Sequence, residues 1–299
     1  METGKKAAIH DLGYQRYSGT RRPQRTRYQV IVRNQMATAW KGWWIYKLPL
    51  LIALTTTVGI AVAMYVSRQK FIPSERASSM MRTVADSLIP QSFSYLSNAS
   101  LLVCLTVLSG IIARDLKAGA FEFFFSRPVR PIDYVIGRLG GAFALLTPIL
   151  IVAPVLLTIY RLGLTGEVEQ VAKTLPWIPK ALLVGVCATI VQASVALAFG
   201  AVTRNPKYAI AGYAAFVIIY GNIITALAYS TGNPDLAALD IRSATSGLAS
   251  ALFDVNFIFS VEAPGLFFSC LSLAGYTLVS IVILFWRVRQ AQQTGMGGG

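Results

Sequence analysis

Six long apolar stretches dominate the pattern of hydrophobic and polar positions along the chain. They are rich in Leu, Ile, Val, Ala and Phe, carry no charged residue, and lack the strict alternation that is typical of a β-barrel strand. A helix needs about 20 residues to cross the roughly 30 Å hydrocarbon core of a bilayer. We therefore predict an all-α integral membrane protein with six transmembrane helices, at about residues 48–67, 91–113, 139–160, 181–203, 208–230 and 263–286.

The residues before the first apolar stretch divide into two parts. Residues 1–27 form a polar arm without an apolar period, whereas over 28–47 apolar residues recur at spacings of three and four. This spacing predicts an amphipathic helix in the plane of the membrane interface. Its apolar face is formed by Val32, Met36, Ala39, Trp40 and Trp43, and the predicted interfacial anchors are Trp40, Trp43, Trp44 and Tyr46.

Composition and charge support a membrane protein and indicate its orientation. The chain is 55% hydrophobic and 13% charged, with mean hydropathy +0.56 and net charge +14. With a cytoplasmic N-terminus, the inside segments hold 19 basic and 5 acidic residues, and the outside loops hold 8 of each. The whole excess charge is then cytoplasmic, as the positive-inside rule requires. Anionic lipid headgroups explain the basic surface, so no nucleic-acid partner is expected.

The parts of the chain outside the six-span domain (48–286) are short. Residues 287–299 are predicted to be a cytoplasmic tail that ends in a flexible GMGGG, either natural or introduced. The longest outside loop, roughly 231–262, carries enough apolar residues to pack back toward the membrane. We expect short extracytoplasmic helices in it that cap the spans.

The stretch FEFFFSRPVRP at 121–131 lies in the first cytoplasmic loop. If residues 114–126 are helical, Asp115, Gly119, Glu122 and Ser126 form a narrow polar stripe and aromatic residues cover most of the remaining surface. The helix ends before Pro128, because the residue before proline is pushed out of the helical region. Such a helix is too apolar to remain in water and too short to span, so it should dock in the membrane interface or in a groove of another protein.

The order of motifs in this loop resembles that of ABC-2 type permeases, the membrane subunits of exporters driven by a separate ATPase. The motifs are ARDLKAGAFE, an aromatic triplet, Ser-Arg-Pro-Val, a further Arg, and Tyr-x-x-Gly-Arg, together with the N-terminal DLGYQRYSGTRRP. Arg138 stands where many members have lysine. The resemblance implies a coupling helix that contacts the ATPase subunit, with the contact residues Asp115, Gly119, Glu122, Phe124, Arg127 and Arg130.

The same resemblance implies the assembly and its surroundings. The working unit would contain two nucleotide-binding subunits, which bind ATP and Mg, and a second permease chain, identical or similar. The expected location is the cytoplasmic membrane of a bacterium or archaeon, and the expected direction is export. The substrate is not specified by any residue of the spans.

Chemistry that the sequence lacks narrows the hypotheses. No G-x-x-x-x-G-K-[ST] occurs, so the chain is not expected to be an ATPase itself, and neither a cofactor nor a metal site is expected. The predicted spans contain no Asp, Glu, Lys, Arg or His, which disfavours ion-driven transport and membrane-embedded catalysis. A channel or secondary transporter, and a scaffold that recruits a cytoplasmic complex, remain alternatives, as does a loop helix that merely anchors the loop at the membrane.

Some polar residues remain inside the predicted spans. Candidates to line a translocation path are Thr56, Asn98, Gln192 and Asn222. The alternative is that they hydrogen-bond between helices, which is the ordinary role of such residues in membrane bundles.

Overall fold

The computed structural model describes residues 27–68, 75–121, 130–164, 171–172, 174–255 and 263–297. Within these ranges six helices are long and apolar enough to cross a membrane, and no strand occurs. We call these helices spans 1 to 6: Trp44–Ser67, Asp86–Lys117, Pro131–Leu164, Trp177–Val202, Pro206–Thr231 and Leu266–Gln293. The prediction of an all-helical, multi-pass membrane protein is confirmed for the helix type and for the number of helices that are long and apolar enough to span.

Several spans contain short π-helical segments. The helical segments are Trp43–Lys47 (π) and Leu48–Arg68 in span 1; Glu75–Val103, Cys104–Leu108 (π) and Ile111–Lys117 in span 2; Pro131–Thr147, Pro148–Val152 (π) and Ala153–Leu164 in span 3; Trp177–Val202 in span 4; Pro206–Ala214, Ala215–Tyr220 (π) and Gly221–Thr231 in span 5; and Leu266–Gly297 in span 6. The described residues also form the helices Arg27–Lys41 (the N-terminal helix) and Ile241–Phe253 (the loop helix), and a 3₁₀ helix covers Pro234–Leu239.

The helices extend beyond the uncharged stretches of the sequence. Span 2 includes Asp86 and Asp115, and span 3 includes Arg138 and Arg161. The predicted stretches 91–113 and 139–160 themselves carry no Asp, Glu, Lys, Arg or His, but the helices are longer and include these four charges toward their ends. The charged residues are tolerated because each arginine is ion-paired with one of the two aspartates.

Spans 2, 3 and 4 form the centre of the bundle. In their apolar segments 67%, 56% and 67% of the residues are buried, whereas the value is 17% in each of spans 1, 5 and 6. The polar contacts that hold the centre together therefore lie between spans 2, 3 and 4, and the outer three spans expose most of their surface.

The N-terminal helix packs lengthwise on the first half of span 3. Glycines on span 3 permit the close approach: a Cβ on Gly141 would lie 2.7 Å from Cδ of Gln35, and one on Gly137 would lie 2.8 Å from Cβ of Ile31. The buried face is Ile31, Gln35 and Ala39.

The predicted amphipathic helix is corrected at its end. It stops at Lys41, because Gly42 has an extended backbone (φ −82°, ψ 107°) that turns the chain into span 1. Of its predicted apolar face, Met36 and Trp40 are exposed and Ala39 is buried, and the side chain of Trp43 lies outside the described residues.

The loop helix lies among the spans instead of covering them. It packs against spans 2, 4 and 6, and eight of its 13 residues are buried. Its last residue, Phe253, contacts Trp177 edge to face with 5.1 Å between ring centroids. Helices in this loop that pack back toward the membrane were predicted, but as a cap on the spans, whereas the loop helix packs between them.

Candidate functional site: a charge cluster at the start of span 3

The loop between spans 2 and 3 begins and ends at well-defined helix boundaries. Span 2 ends at Lys117, and Gly119 follows with φ +64°, a conformation that favours glycine. Span 3 begins at Pro131, after the backbone N–H of Arg130 donates to Oδ2 of Asp133 at 3.2 Å. The predicted continuous helix over 114–126 is therefore wrong at its start, because residues 114–117 continue span 2 and the helix breaks at Gly119.

Charged and polar side chains from three helices meet beside this loop. Asp115 on span 2 forms an ion pair with Arg138 on span 3 and accepts a hydrogen bond from the hydroxyl of Tyr134. Arg138 also donates to Oη of Tyr134 at 3.3 Å and to Oε1 of Gln35 on the N-terminal helix at 3.5 Å. We call Gln35, Asp115, Tyr134 and Arg138 the clamp.

The clamp is buried, and this determines its energetic role. The side chain of Arg138 is 7% exposed and that of Asp115 is 17% exposed. Removing one partner of a buried ion pair leaves an uncompensated charge, which costs about 3–5 kcal/mol. The phenol ring of Tyr134 is further held by Phe121, with 5.0 Å between ring centroids. The clamp therefore fixes both ends of the loop between spans 2 and 3 to each other and to the N-terminal helix.

The residues predicted to contact a partner subunit fall into three groups. Asp115 is engaged within the chain, whereas Gly119 and Arg130 are exposed at the two ends of the loop. Glu122, Phe124 and Arg127 lie outside the described residues. The clamp thus adds Gln35, Tyr134 and Arg138 to the residues that position this loop.

Sequence reasoning noticed Tyr134 and Arg138 only as part of a motif. Their spacing of four residues places them on one face of a helix, which is a local signal that could have identified them as partners. Gln35 carries no such signal, because its role depends on the contact between the N-terminal helix and span 3.

The predicted path-lining residues do not share one surface. Gln192 is buried between spans 4 and 2, where its side-chain oxygen accepts from the hydroxyl of Ser100. Thr56 donates to the carbonyl of Ile52 in its own helix at 2.8 Å. Asn98 and Asn222 are exposed, on spans 2 and 5. For Gln192 the geometry favours the alternative of hydrogen bonding between helices.

The predicted interfacial anchors also differ from one another. Trp40 and Trp44 are 57% and 72% exposed, as an anchor requires, and the side chain of Trp43 lies outside the described residues. Tyr46 is only 2% exposed, and its hydroxyl donates to the carbonyl of Leu145 on span 3 at 2.9 Å. Tyr46 is therefore a packing residue of the bundle, which corrects its assignment as an anchor.

A second ion pair lies at the opposite end of the bundle. Arg161 near the end of span 3 pairs with Asp86 at the start of span 2, and its guanidinium lies 4.1 Å from the ring centroid of Trp177 on span 4. Sequence reasoning assigned both charges to loops. Spans 2 and 3 are thus joined by ion pairs at both ends.

No feature of the described part of the chain suggests bound metal, since no group of three or more His, Cys, Asp or Glu side chains comes together in it. The arrangement of the clamp is mechanical: it connects helices. Comparison with models of known protein families finds none that matches the chain, and comparison with curated proteins also finds no match.

Proposed function

We propose that the chain is the membrane subunit of an ATP-driven exporter and transmits the movement of a separate ATPase through the loop between spans 2 and 3. The observation that carries this proposal is the clamp, which ties both ends of that loop to the bundle. The motifs of the loop, which resemble those of ABC-2 type permeases, support the same function.

The clamp suggests how a force on the loop would reach the spans. Asp115 belongs to span 2, Arg138 to span 3 and Gln35 to the N-terminal helix. Because these residues are joined directly, a displacement of the loop would move the three helices together rather than unfold the loop. ATP and Mg would bind in the partner subunit, and this chain would supply the moving helices and the path.

The proposal includes an assembly and an orientation. Two copies of the chain, or this chain and a similar one, would combine with two ATPase subunits in the cytoplasmic membrane of a bacterium or archaeon. The loop between spans 2 and 3 and both termini would face the cytoplasm. The excess of basic residues in these segments supports this orientation.

Purification from the native host tests this function. The tagged chain is extracted in mild detergent, the copurifying proteins are identified, and vanadate-sensitive ATPase activity is measured. A near-stoichiometric subunit with a phosphate-binding loop, together with activity that Glu122→Arg abolishes, is the expected result. Glu169→Arg is the matched control, because it makes the same charge change in the loop between spans 3 and 4.

Two outcomes would count against the proposal. A chain that purifies without an ATPase, and whose transport follows an ion gradient, would be a channel or secondary transporter. A chain that binds a cytoplasmic complex without any transport would be a scaffold.

A further inference from the structure

The segment between spans 5 and 6 carries two charged residues deep into the bundle. A Cβ on Gly221 would lie 2.6 Å from Oδ1 of Asp240, and Nη2 of Arg242 lies 3.5 Å from Oδ1 of Asn222. Gly221 and Asn222 are ten and nine residues before the end of span 5 at Thr231. At 1.5 Å per residue, Asp240 and Arg242 therefore lie about 14 Å inside that end of span 5.

A contact with span 6 independently places this part of the segment at the same depth in the bundle. The hydroxyl of Tyr276 donates to the carbonyl of Leu239 at 2.6 Å, and Tyr276 follows the first residue of span 6 by ten positions. This corresponds to about 15 Å along the helix, half of the roughly 30 Å hydrocarbon core. The chain thus descends through the 3₁₀ helix, turns at Asp240, and rises again through the loop helix to Trp177.

The two charged side chains at this turn, Asp240 and Arg242, differ in how well their hydrogen-bonding groups are paired. Asp240 is 4% exposed and accepts from both the backbone N–H and the hydroxyl of Ser243, at 3.3 and 3.1 Å, which caps the loop helix. Arg242 has only two polar contacts at this depth within the described part of the chain, and both are long: Asp240 and Asn222, each at 3.5 Å.

Arg242 therefore has unused hydrogen-bond donors. A guanidinium carries five N–H donors. Nε of Arg242 faces Oδ2 of Asp240 at 3.5 Å without making a hydrogen bond in the described structure, Nη2 donates to Asn222, and 23% of the side chain is exposed. Arg138, by comparison, contacts Asp115, Tyr134 and Gln35. The ion pair with Asp240 compensates the charge of Arg242 at membrane depth, but it leaves N–H donors of the guanidinium that can take a further acceptor.

We propose that Arg242 and Asn222 form an intramembrane anion site that binds the phosphate or carboxylate group of an amphiphile. The planar guanidinium matches both groups. The exposed Asn222 lies beside it, where Nδ2 donates to the carbonyl of Ile218 at 2.6 Å and has a second N–H for an anion. The neighbouring surface of span 5 exposes Ile219 (61%) and Ile223 (59%), which suits an alkyl chain. A role of this site in carrying cargo rests on the proposed function, but binding itself does not.

The test measures binding of radiolabelled dodecyl phosphate to the purified full chain in dodecyl maltoside by scintillation proximity. Saturable binding is expected, with a Kd at least tenfold weaker in Arg242→Gln and partly restored in Arg242→Lys. Arg289→Gln is the matched control, because Arg289 is exposed near the opposite end of span 6, and it should bind as the wild type does. Asn222→Leu supplies a second variant if Arg242→Gln does not fold, as judged by circular dichroism and gel filtration.

Competing ligands show which chemical group the site binds and whether an amphiphile or free phosphate supplies that group. Laurate should displace the probe and dodecanol should not, because only laurate carries an anionic group. Displacement by inorganic phosphate over the same concentration range would overturn the amphiphile as ligand, and equal affinity in wild type and both Arg242→Gln and Asn222→Leu would overturn the site. The assay contains no ATPase, so its failure and the failure of the proposed function are separate results.

Discussion

Arg138 is the residue on which the cytoplasmic side of the proposed mechanism depends. Its guanidinium is almost completely buried, and its contacts come from three different helices. A buried arginine without these partners would be strongly destabilising. The same contacts that satisfy the charge therefore determine how spans 2 and 3 and the N-terminal helix are arranged.

Removing one charge of the clamp should destabilise the whole bundle. We expect Asp115→Asn to lower the free energy of unfolding by about 3–5 kcal/mol, because Arg138 then remains buried without a counter-charge. Titration of the purified protein with sodium dodecyl sulfate measures this change. In a double-mutant cycle, Asp115→Asn combined with Arg138→Gln should cost less than the sum of the single substitutions.

Asp133→Asn is the control for this cycle. Asp133 is near the clamp, and within the described residues its side chain accepts the N–H of Arg130 at the start of span 3, so its replacement should cost about 0.3–1 kcal/mol. Strictly additive effects of Asp115→Asn and Arg138→Gln would show that the two residues do not act as a pair.

Substitution of Gln192 can distinguish a packing role of this residue from a role in a translocation path. Its side chain bonds Ser100 in the buried contact between spans 4 and 2. We expect a coupling energy of about 0.6 kcal/mol, and at most about 1.7 kcal/mol, in a cycle of Ser100→Ala and Gln192→Leu. The same unfolding titration measures it. A Gln192→Leu variant with unchanged stability and altered cargo preference would instead favour the path-lining hypothesis.

At the scale of elements, glycine determines how closely span 4 approaches its neighbours. A Cβ on Gly185 would overlap the carbonyl oxygen of Leu150, and one on Gly200 would lie 2.6 Å from that of Ser109. Both contacts are with backbone atoms, which cannot rotate away as a side chain can. Span 4 is therefore held against span 3 at one end and span 2 at the other by direct backbone packing.

Gly185→Ala should separate spans 3 and 4. We expect a loss of about 1–3 kcal/mol in the free energy of unfolding, because inserted volume in a well-packed contact forces the backbones apart. Gly59→Ala is the matched control: nothing lies within 4 Å of its Cβ position, so it should be neutral or stabilise the helix by about 0.5–1 kcal/mol. Equal effects of the two substitutions would contradict the close packing.

The periodicity of the sequence predicts some elements better than others. Six apolar stretches correspond to six spans, because lipid requires long apolar helices. The ends of spans 2 and 3 could not be predicted from hydropathy, since Asp115 and Arg138 neutralise each other only when the helices are packed. For the same reason, the depth of Asp240 and Arg242 depends on contacts with spans 5 and 6 that no local pattern contains.

At the scale of the whole molecule, the two ends of the bundle differ in charge and construction. One end carries the N-terminal helix, the clamp and the loop between spans 2 and 3; the other carries the pair of Arg161 and Asp86 and the end of the loop helix. By the predicted topology, the sequence segments on the first side hold 19 basic and 5 acidic residues, and those on the second side hold 8 of each, including Asp240 and Arg242, which lie deeper in the bundle. This asymmetry is the kind that sets orientation during insertion.

Cysteine labelling in intact cells tests the orientation. With Cys104, Cys187 and Cys270 replaced by alanine, a single cysteine is introduced by Leu175→Cys or by Arg130→Cys, at exposed positions before span 4 and before span 3. A membrane-impermeant maleimide should label the Leu175→Cys protein in intact cells and the Arg130→Cys protein only after permeabilisation, because the basic end stays in the cytoplasm. The reverse pattern would place the clamp outside the cell, where no ATP-driven subunit could reach it, and would exclude the proposed function together with the orientation.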